Sequence, residues 1–151
     1  MGGGEESDFR SLLPIFSCFG TAVHQGAPGR GQHAKLANQI AISGTLLGVC
    51  EALGYARRAG LDPERLLDSI SRGAAGSSLL VQAGPRMLAG DYAPGFYVKH
   101  FIKDMDIALA QAEKLELDAR GLELVRSLFG ELSRRGYADE GTQSLFRLYD
   151  R

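Results

Sequence analysis

The chain has 151 residues, 44% of them hydrophobic and 23% charged, with a formal net charge of −1. That is the balance of one globular domain, and it offers no basic field to draw in nucleic acid or an anionic membrane. Cys18 and Cys50 form neither a disulfide framework nor a metal-spaced pair, so a reducing, cytoplasmic setting is expected.

Residues 1–8 are glycine-rich and acidic, without the basic start of a signal peptide. Residues 1–4 read as a loop. Ser7 or Asp8 is expected to cap a short helix carrying Phe9, Leu12, Leu13 and Phe16, with Pro14 kinking or breaking it before Gly20. Thr21-Ala22-Val23-His24 is a short β-like run closed by Gly26. A strand needs a partner for its backbone groups, and nothing later in the chain offers one. The chain therefore reads as a piece of something larger.

The next stretch, Gly26-Ala27-Pro28-Gly29-Arg30-Gly31-Gln32-His33-Ala34-Lys35-Leu36-Ala37-Asn38-Gln39, opens a long apolar helix expected over 30–59. Lys35 is the only acidic or basic side chain between Gly31 and Cys50, histidine aside. On a helix it shares one face with Asn38 and Gln39. Burial there would disfavour its ammonium and make it a candidate general acid/base. The plainer alternative is a lysine that snorkels to solvent at the helix start. Gly29-x-Gly31 could cradle a phosphate on free N–H groups, but a flexible connector explains it better. The uncharged run 36–50 holds Asn38, Gln39, Ser43 and Thr45 and falls short of the roughly 20 apolar residues a bilayer span needs. It reads as a buried core helix. Its small residues, including Gly44 and Gly48, suggest close approach of neighbouring helices, and its length suggests packing across a subunit interface.

Gly60 should stop that helix, and Asp62 should cap the next one with Pro63 at its first position. Ser77 or Ser78 should cap a helix that runs to Ala83 and breaks at Gly84-Pro85. A loop over 90–96 follows. Amphipathic helices are then expected over 98–114 and from about Leu122 to Gly136, with a last short helix at Leu145, Phe146 and Leu148. Lys103-Asp104 taken alone is an ordinary solvated pair, and Phe96 has core packing as its default role. His24, His33 and His100 share no metal spacing, and no metal site is expected. The fold class expected is all-α around one long central helix, with a small helix-strand remnant at the N-terminus.

Together these stretches resemble the C-terminal domain of the β-hydroxyacid dehydrogenase family, which includes 3-hydroxyisobutyrate dehydrogenase and tartronate semialdehyde reductase (2-hydroxy-3-oxopropionate reductase). The family signature G-x-x-G-x-G-x-x-x-K-x-x-N-[NQ] is met by Gly26, Gly29, Gly31, Lys35, Asn38 and Gln39. Gly76-Ser77, and Pro94-Gly95-Phe96 leading to Lys103-Asp104, match as well, so the resemblance covers nearly the whole chain. The Ala-Asn-Gln ending and the Ala-Gly-Ser run lean toward the reductase branch.

The resemblance implies a helical C-terminal domain of the 6-phosphogluconate-dehydrogenase-like type over 27–151, for substrate and dimerisation. It makes 1–26 the end of a Rossmann NAD(P)-binding domain. It implies Lys35 as catalytic general acid/base, Asn38 and Gln39 as substrate-orienting groups, and Lys103, Phe96 and Asp104 as residues near the NAD or NADP cofactor. A small hydroxyacid or semialdehyde substrate and a homodimer follow, with no nucleic acid or membrane partner. The dinucleotide fingerprint and the substrate-binding Ser-Gly loop of such enzymes are not in this sequence. The isolated chain is therefore expected to be inactive, and a non-catalytic dimerisation or interaction module is the alternative.

Overall fold

The structure is a computed structural model that describes residues 1–150. It is mostly helical, and it divides into two compact units, Met1–Gln39 and the segment from Ile40 onward.

In the first unit, helix α1 spans Glu6–Phe16. Ser7 and Asp8 lie inside it rather than capping it; Glu5 stands at the N-cap and makes no side-chain cap bond. Pro14 is accommodated in the last turn. The β-like run finds its partner upstream. Gly2 and His24 form a parallel bridge, with Gly2 N–H donating to Val23 at 3.0 Å and Gln25 N–H donating to Gly2 at 2.7 Å. The segment read as a loop is thus a strand edge, and α1 is the crossover that a parallel pair requires.

Helix α2 spans Arg30–Arg58 and runs from the first unit into the second. Positive φ at Gly26 and Gly29 (108° and 89°) turns the chain into it, a geometry glycine adopts without strain. Along the second unit its buried stripe is Ser43, Leu46, Val49, Cys50, Leu53 and Ala56. The whole helix is long and apolar enough to cross a membrane by length and composition, contrary to the shorter reading of residues 36–50. A third of that window is nevertheless buried inside the chain, and the stripe packs as a core helix does. Cys50 Sγ lies 4.0 Å from Met87 Sδ.

Helix α3, Pro63–Ile70, begins as its sequence dictates: an Asp62 carboxylate oxygen accepts from the N–H groups of Glu64 and Arg65. Helix α4, Ser78–Leu88, is capped by the Ser77 hydroxyl at Leu80 N–H (3.0 Å). It does not break at Gly84-Pro85. A Cβ on Gly84 would sit 2.9 Å from a Leu67 methyl, so the glycine admits α3 at close range. Pro85 withholds only the N–H that Val81 would have received, and Val81 is solvent-facing.

Helices α5, Val98–Lys114, and α6, Arg120–Leu132, pack through Phe101 and Phe129, whose rings meet edge to face at 5.1 Å. The Arg126 guanidinium forks onto Asp106 at 2.6 and 3.1 Å and ties the same pair on its exposed side. A π-helical turn at Ser133–Tyr137 closes on Gly136 (φ 93°), and a 3-10 helix, Thr142–Leu148, buries Leu145 and Phe146 in the core. The order of elements expected from the sequence holds in this unit.

Candidate functional site

In the first unit the candidate groups hang from the second and third turns of α2. The turn before them is satisfied by its own backbone: Arg30 N–H donates to Ala27, and Gln32 and His33 N–H both donate to Gly29, at 3.1 to 3.2 Å. Gly31 is buried, facing the backbone of Gly3. This is a connector that locks the helix start. The Arg30, Gln32 and His33 N–H groups are spent on carbonyls, which favours the connector over a phosphate cradle.

Lys35, Asn38 and Gln39 are brought together as their spacing predicts. Lys35 Nζ donates to Gln39 Oε1 at 2.7 Å, and Asn38 Nδ2 donates to the same oxygen at 3.1 Å. Gln39 is buried at 2% exposure, Asn38 is half-buried and Lys35 is exposed. Of the two readings of Lys35, the structure shows the plainer one, a lysine that reaches solvent near the helix start, and not the desolvated ammonium. The ammonium is presented at the surface and anchored from beneath by an amide carbonyl. A presented ammonium with two donor-acceptor amides beside it can give a proton to an oxygen of a bound small molecule.

In the second unit, Phe96 precedes α5, and its ring packs on Phe101 at 5.8 Å and near His100 at 6.4 Å. The residue stays 38% exposed, so core packing uses only one part of it. One turn further along, Lys103 Nζ lies 3.4 Å from Asp104 Oδ1, with the lysine side chain 67% exposed and the aspartate 21%. Lys103 offers an exposed cation and Phe96 a partly exposed aromatic ring, groups that suit an anionic ligand and a flat heterocycle. Lys35, Asn38 and Gln39 belong to the first unit, and Phe96, Lys103 and Asp104 to the second.

Two features escaped the sequence reading. Gly3 holds the start of α2, yet four small or flexible residues in a row give no pairing signal. Arg147 lies between the rings of Tyr92 and Tyr137, 4.1 and 4.5 Å from their centroids, and forks onto Glu140 at 2.9 Å twice. No spacing rule links residues that far apart. A cleft of about 320 Å³ in the first unit is lined by Met1, Gly2, Phe9, Phe16, Phe19 and neighbours, and Lys35 does not line it. Among the described residues no group of three His, Cys, Asp or Glu side chains could hold a metal ion.

Comparison with known proteins agrees on one family. The model for the NAD-binding domain of NADP-dependent 3-hydroxyisobutyrate dehydrogenase matches residues 29–149. An uncharacterized oxidoreductase of Bacillus subtilis is 50% identical over 150 residues, covering 99% of this chain and 52% of the relative. The 2-hydroxy-3-oxopropionate reductase of Escherichia coli is 34% identical over 137 residues, covering 90% of this chain and 47% of the relative. A crystal structure of a 3-hydroxyisobutyrate dehydrogenase from Salmonella typhimurium shares the fold, with a TM-score of 0.89 at 24% identity over 97% of this chain and 52% of that one. The chain spans about half the length of the relatives it matches.

Proposed function

The chain belongs to the 3-hydroxyisobutyrate dehydrogenase family, and on that premise we propose that it forms the helical half of an NAD(P)-dependent oxidoreductase that interconverts a 3-hydroxy acid and its oxo form. Its helical part, from Arg30 onward, is read as the 6-phosphogluconate-dehydrogenase-like domain. The observation that carries the reading is the Lys35 ammonium, exposed yet held at 2.7 Å by Gln39.

The nicotinamide, when bound, supplies or accepts the hydride. Lys35 supplies the matching proton: in reduction its ammonium donates to the carbonyl oxygen, and in oxidation its free amine takes the hydroxyl proton. Asn38, half-buried beside it, orients the substrate. Lys103, Phe96 and Asp104 hold the cofactor. The donor set fits that group, because Lys103 offers an exposed charge and Phe96 an exposed ring face. A homodimer through the exposed small-residue face of α2 completes the proposal; nothing lies within 4 Å of a Cβ built on Gly44 or Gly48.

The test joins the chain to the nucleotide-binding half of a relative and follows NADH and NADPH spectroscopically. The substrates are 3-hydroxyisobutyrate for oxidation and 2-hydroxy-3-oxopropionate for reduction. Lys35→Ala should lower turnover about 100-fold to 10,000-fold with cofactor affinity nearly unchanged. Lys35→Arg should fail nearly as badly, since a guanidinium with a pKa of about 12.5 or more does not release its proton. Near-wild-type turnover in Lys35→Arg would reduce Lys35 to an electrostatic anchor.

A further inference from the structure

We infer that Gln39 is the positioning residue of Lys35: its side-chain carbonyl holds the lysine in one rotamer instead of meeting substrate. This rests on the reading of Lys35 as the proton carrier. Four observations lead to it. Gln39 is buried at 2% exposure, so its own rotamer is fixed by packing. Its Oε1 accepts from Lys35 Nζ at 2.7 Å and from Asn38 Nδ2 at 3.1 Å. A carbonyl oxygen has two lone pairs, and these two donors engage both. Side chains on a helix lean toward its N-terminus, so the Gln39 amide reaches back to Lys35, four residues before it on the same face.

The consequence is a division of labour on one helical face. A free lysine samples many rotamers, and a proton donor that is in place only part of the time loses rate in proportion. Gln39 supplies that placement from below while leaving the outward side of the ammonium open. Asn38, bonded to the same oxygen, is oriented by the same group. The amide at position 39 thus acts through Lys35 and Asn38, and its own contact with substrate is not needed for it to matter.

Two variants separate the roles. Gln39→Met keeps length and an unbranched shape and removes the acceptor. Gln39→Glu keeps an acceptor oxygen and removes the amide donor. The readout is hydrogen exchange of the lysine ammonium groups by proton–nitrogen NMR on the chain itself, which has four lysines. Lys35→Arg assigns the signal. Gln39→Met should speed exchange at Lys35 by about tenfold or more, the scale of a lost hydrogen bond to a charged group. Gln39→Glu should restore slow exchange. In the joined enzyme Gln39→Met should lower kcat about tenfold with KM changed less than about twofold. Unchanged exchange in Gln39→Met would overturn the inference. So would a raised KM at unchanged kcat, which would make Gln39 a substrate ligand. The exchange measurement needs no turnover. A Lys35 held by Gln39 in a protein that processes neither acid would sink the functional reading and leave this one standing.

Discussion

Gly3 and Gly31 meet backbone to backbone, with no room for a side chain on either. A Cβ on Gly3 would stand 2.7 Å from Gly31 N, and one on Gly31 would stand 2.9 Å from Gly3 N and 3.1 Å from Gly2 C. The contact fixes the first turn of α2 against the strand edge at Gly2, one turn before Lys35. Two glycines 28 positions apart thereby set where the candidate proton donor begins.

Alanine at either position must push backbone against backbone, which no rotamer change relieves. Gly3→Ala and Gly31→Ala should each destabilise the first unit by about 1–3 kcal/mol. The local readout is amide exchange at Gly4 and Gln25, whose N–H groups donate to Gly26 and Gly2 at 2.9 and 2.7 Å. Both should lose protection while core amides of α5 and α6 keep theirs. Unchanged protection at Gly4 and Gln25 would show that the strand edge gives way without cost.

Gly44 and Gly48 present the opposite case. They lie inside α2 with open space where a Cβ would go. Alanine there should raise the stability of the dissociated chain by about 1 kcal/mol per site through helix propensity. If the same face is the dimer contact proposed above, the added methyls should also weaken association in sedimentation experiments. Higher stability with unchanged association would remove this face of α2 from the interface.

These glycines show where the sequence was legible. Asp62-Pro63 and Ser77 announced their helices, because a cap is a local hydrogen bond between neighbours in the chain. The Lys35, Asn38 and Gln39 cluster was legible for the same reason: one helical turn sets it. The sequence left Lys35 open between burial and a reach to solvent, since the outcome depends on what packs around the helix. Nor was the pairing of Gly2 with His24, which joins backbone groups across α1 without any side-chain pattern. Gly84-Pro85 misled because the rule against proline assumes a stranded carbonyl, and Val81 faces water.

Arg147 is the fastener of the second unit's C-terminal end. Its guanidinium lies between Tyr92 and Tyr137 and forks onto Glu140. Lysine cannot reproduce either the planar stacking or the fork. Arg147→Lys should cost about 1–2 kcal/mol in urea unfolding, despite the retained charge. An unchanged midpoint would mean that the stack is incidental.

Alkaline pH should loosen the same end. Burial first, and then the Glu51 carboxylate, push the Tyr149 phenol from 10.0 up to about 12. A raised pKa means that the folded state holds the proton more tightly. The contribution is full below pH 10 and is lost as pH rises from about 10 to about 12. Burial pushes the Cys50 thiol and the Tyr92 phenol up as well, with the same sign. Thermal midpoints should therefore fall across that window, and Tyr149→Phe should flatten the fall without abolishing it. A slope identical in Tyr149→Phe would place the titration elsewhere.

Lys103 provides the counterpart to Lys35 in the joined enzyme. Its side chain is 67% exposed and, among the described residues, its ion pair is with Asp104, 3.4 Å away, so it can turn toward an anionic ligand with little to give up. Removing one charge-assisted contact to a phosphate or carboxamide oxygen typically costs about tenfold or more in affinity. Lys103→Ala should thus raise the dissociation constant for NADH or NADPH, read by fluorescence titration, before it lowers kcat. Lys35→Ala should show the reverse order, because the proton it carries is needed only as the carbonyl oxygen gains charge. Cofactor affinity unchanged in Lys103→Ala would return Lys103 and Asp104 to the solvated surface pair that their adjacency first suggested.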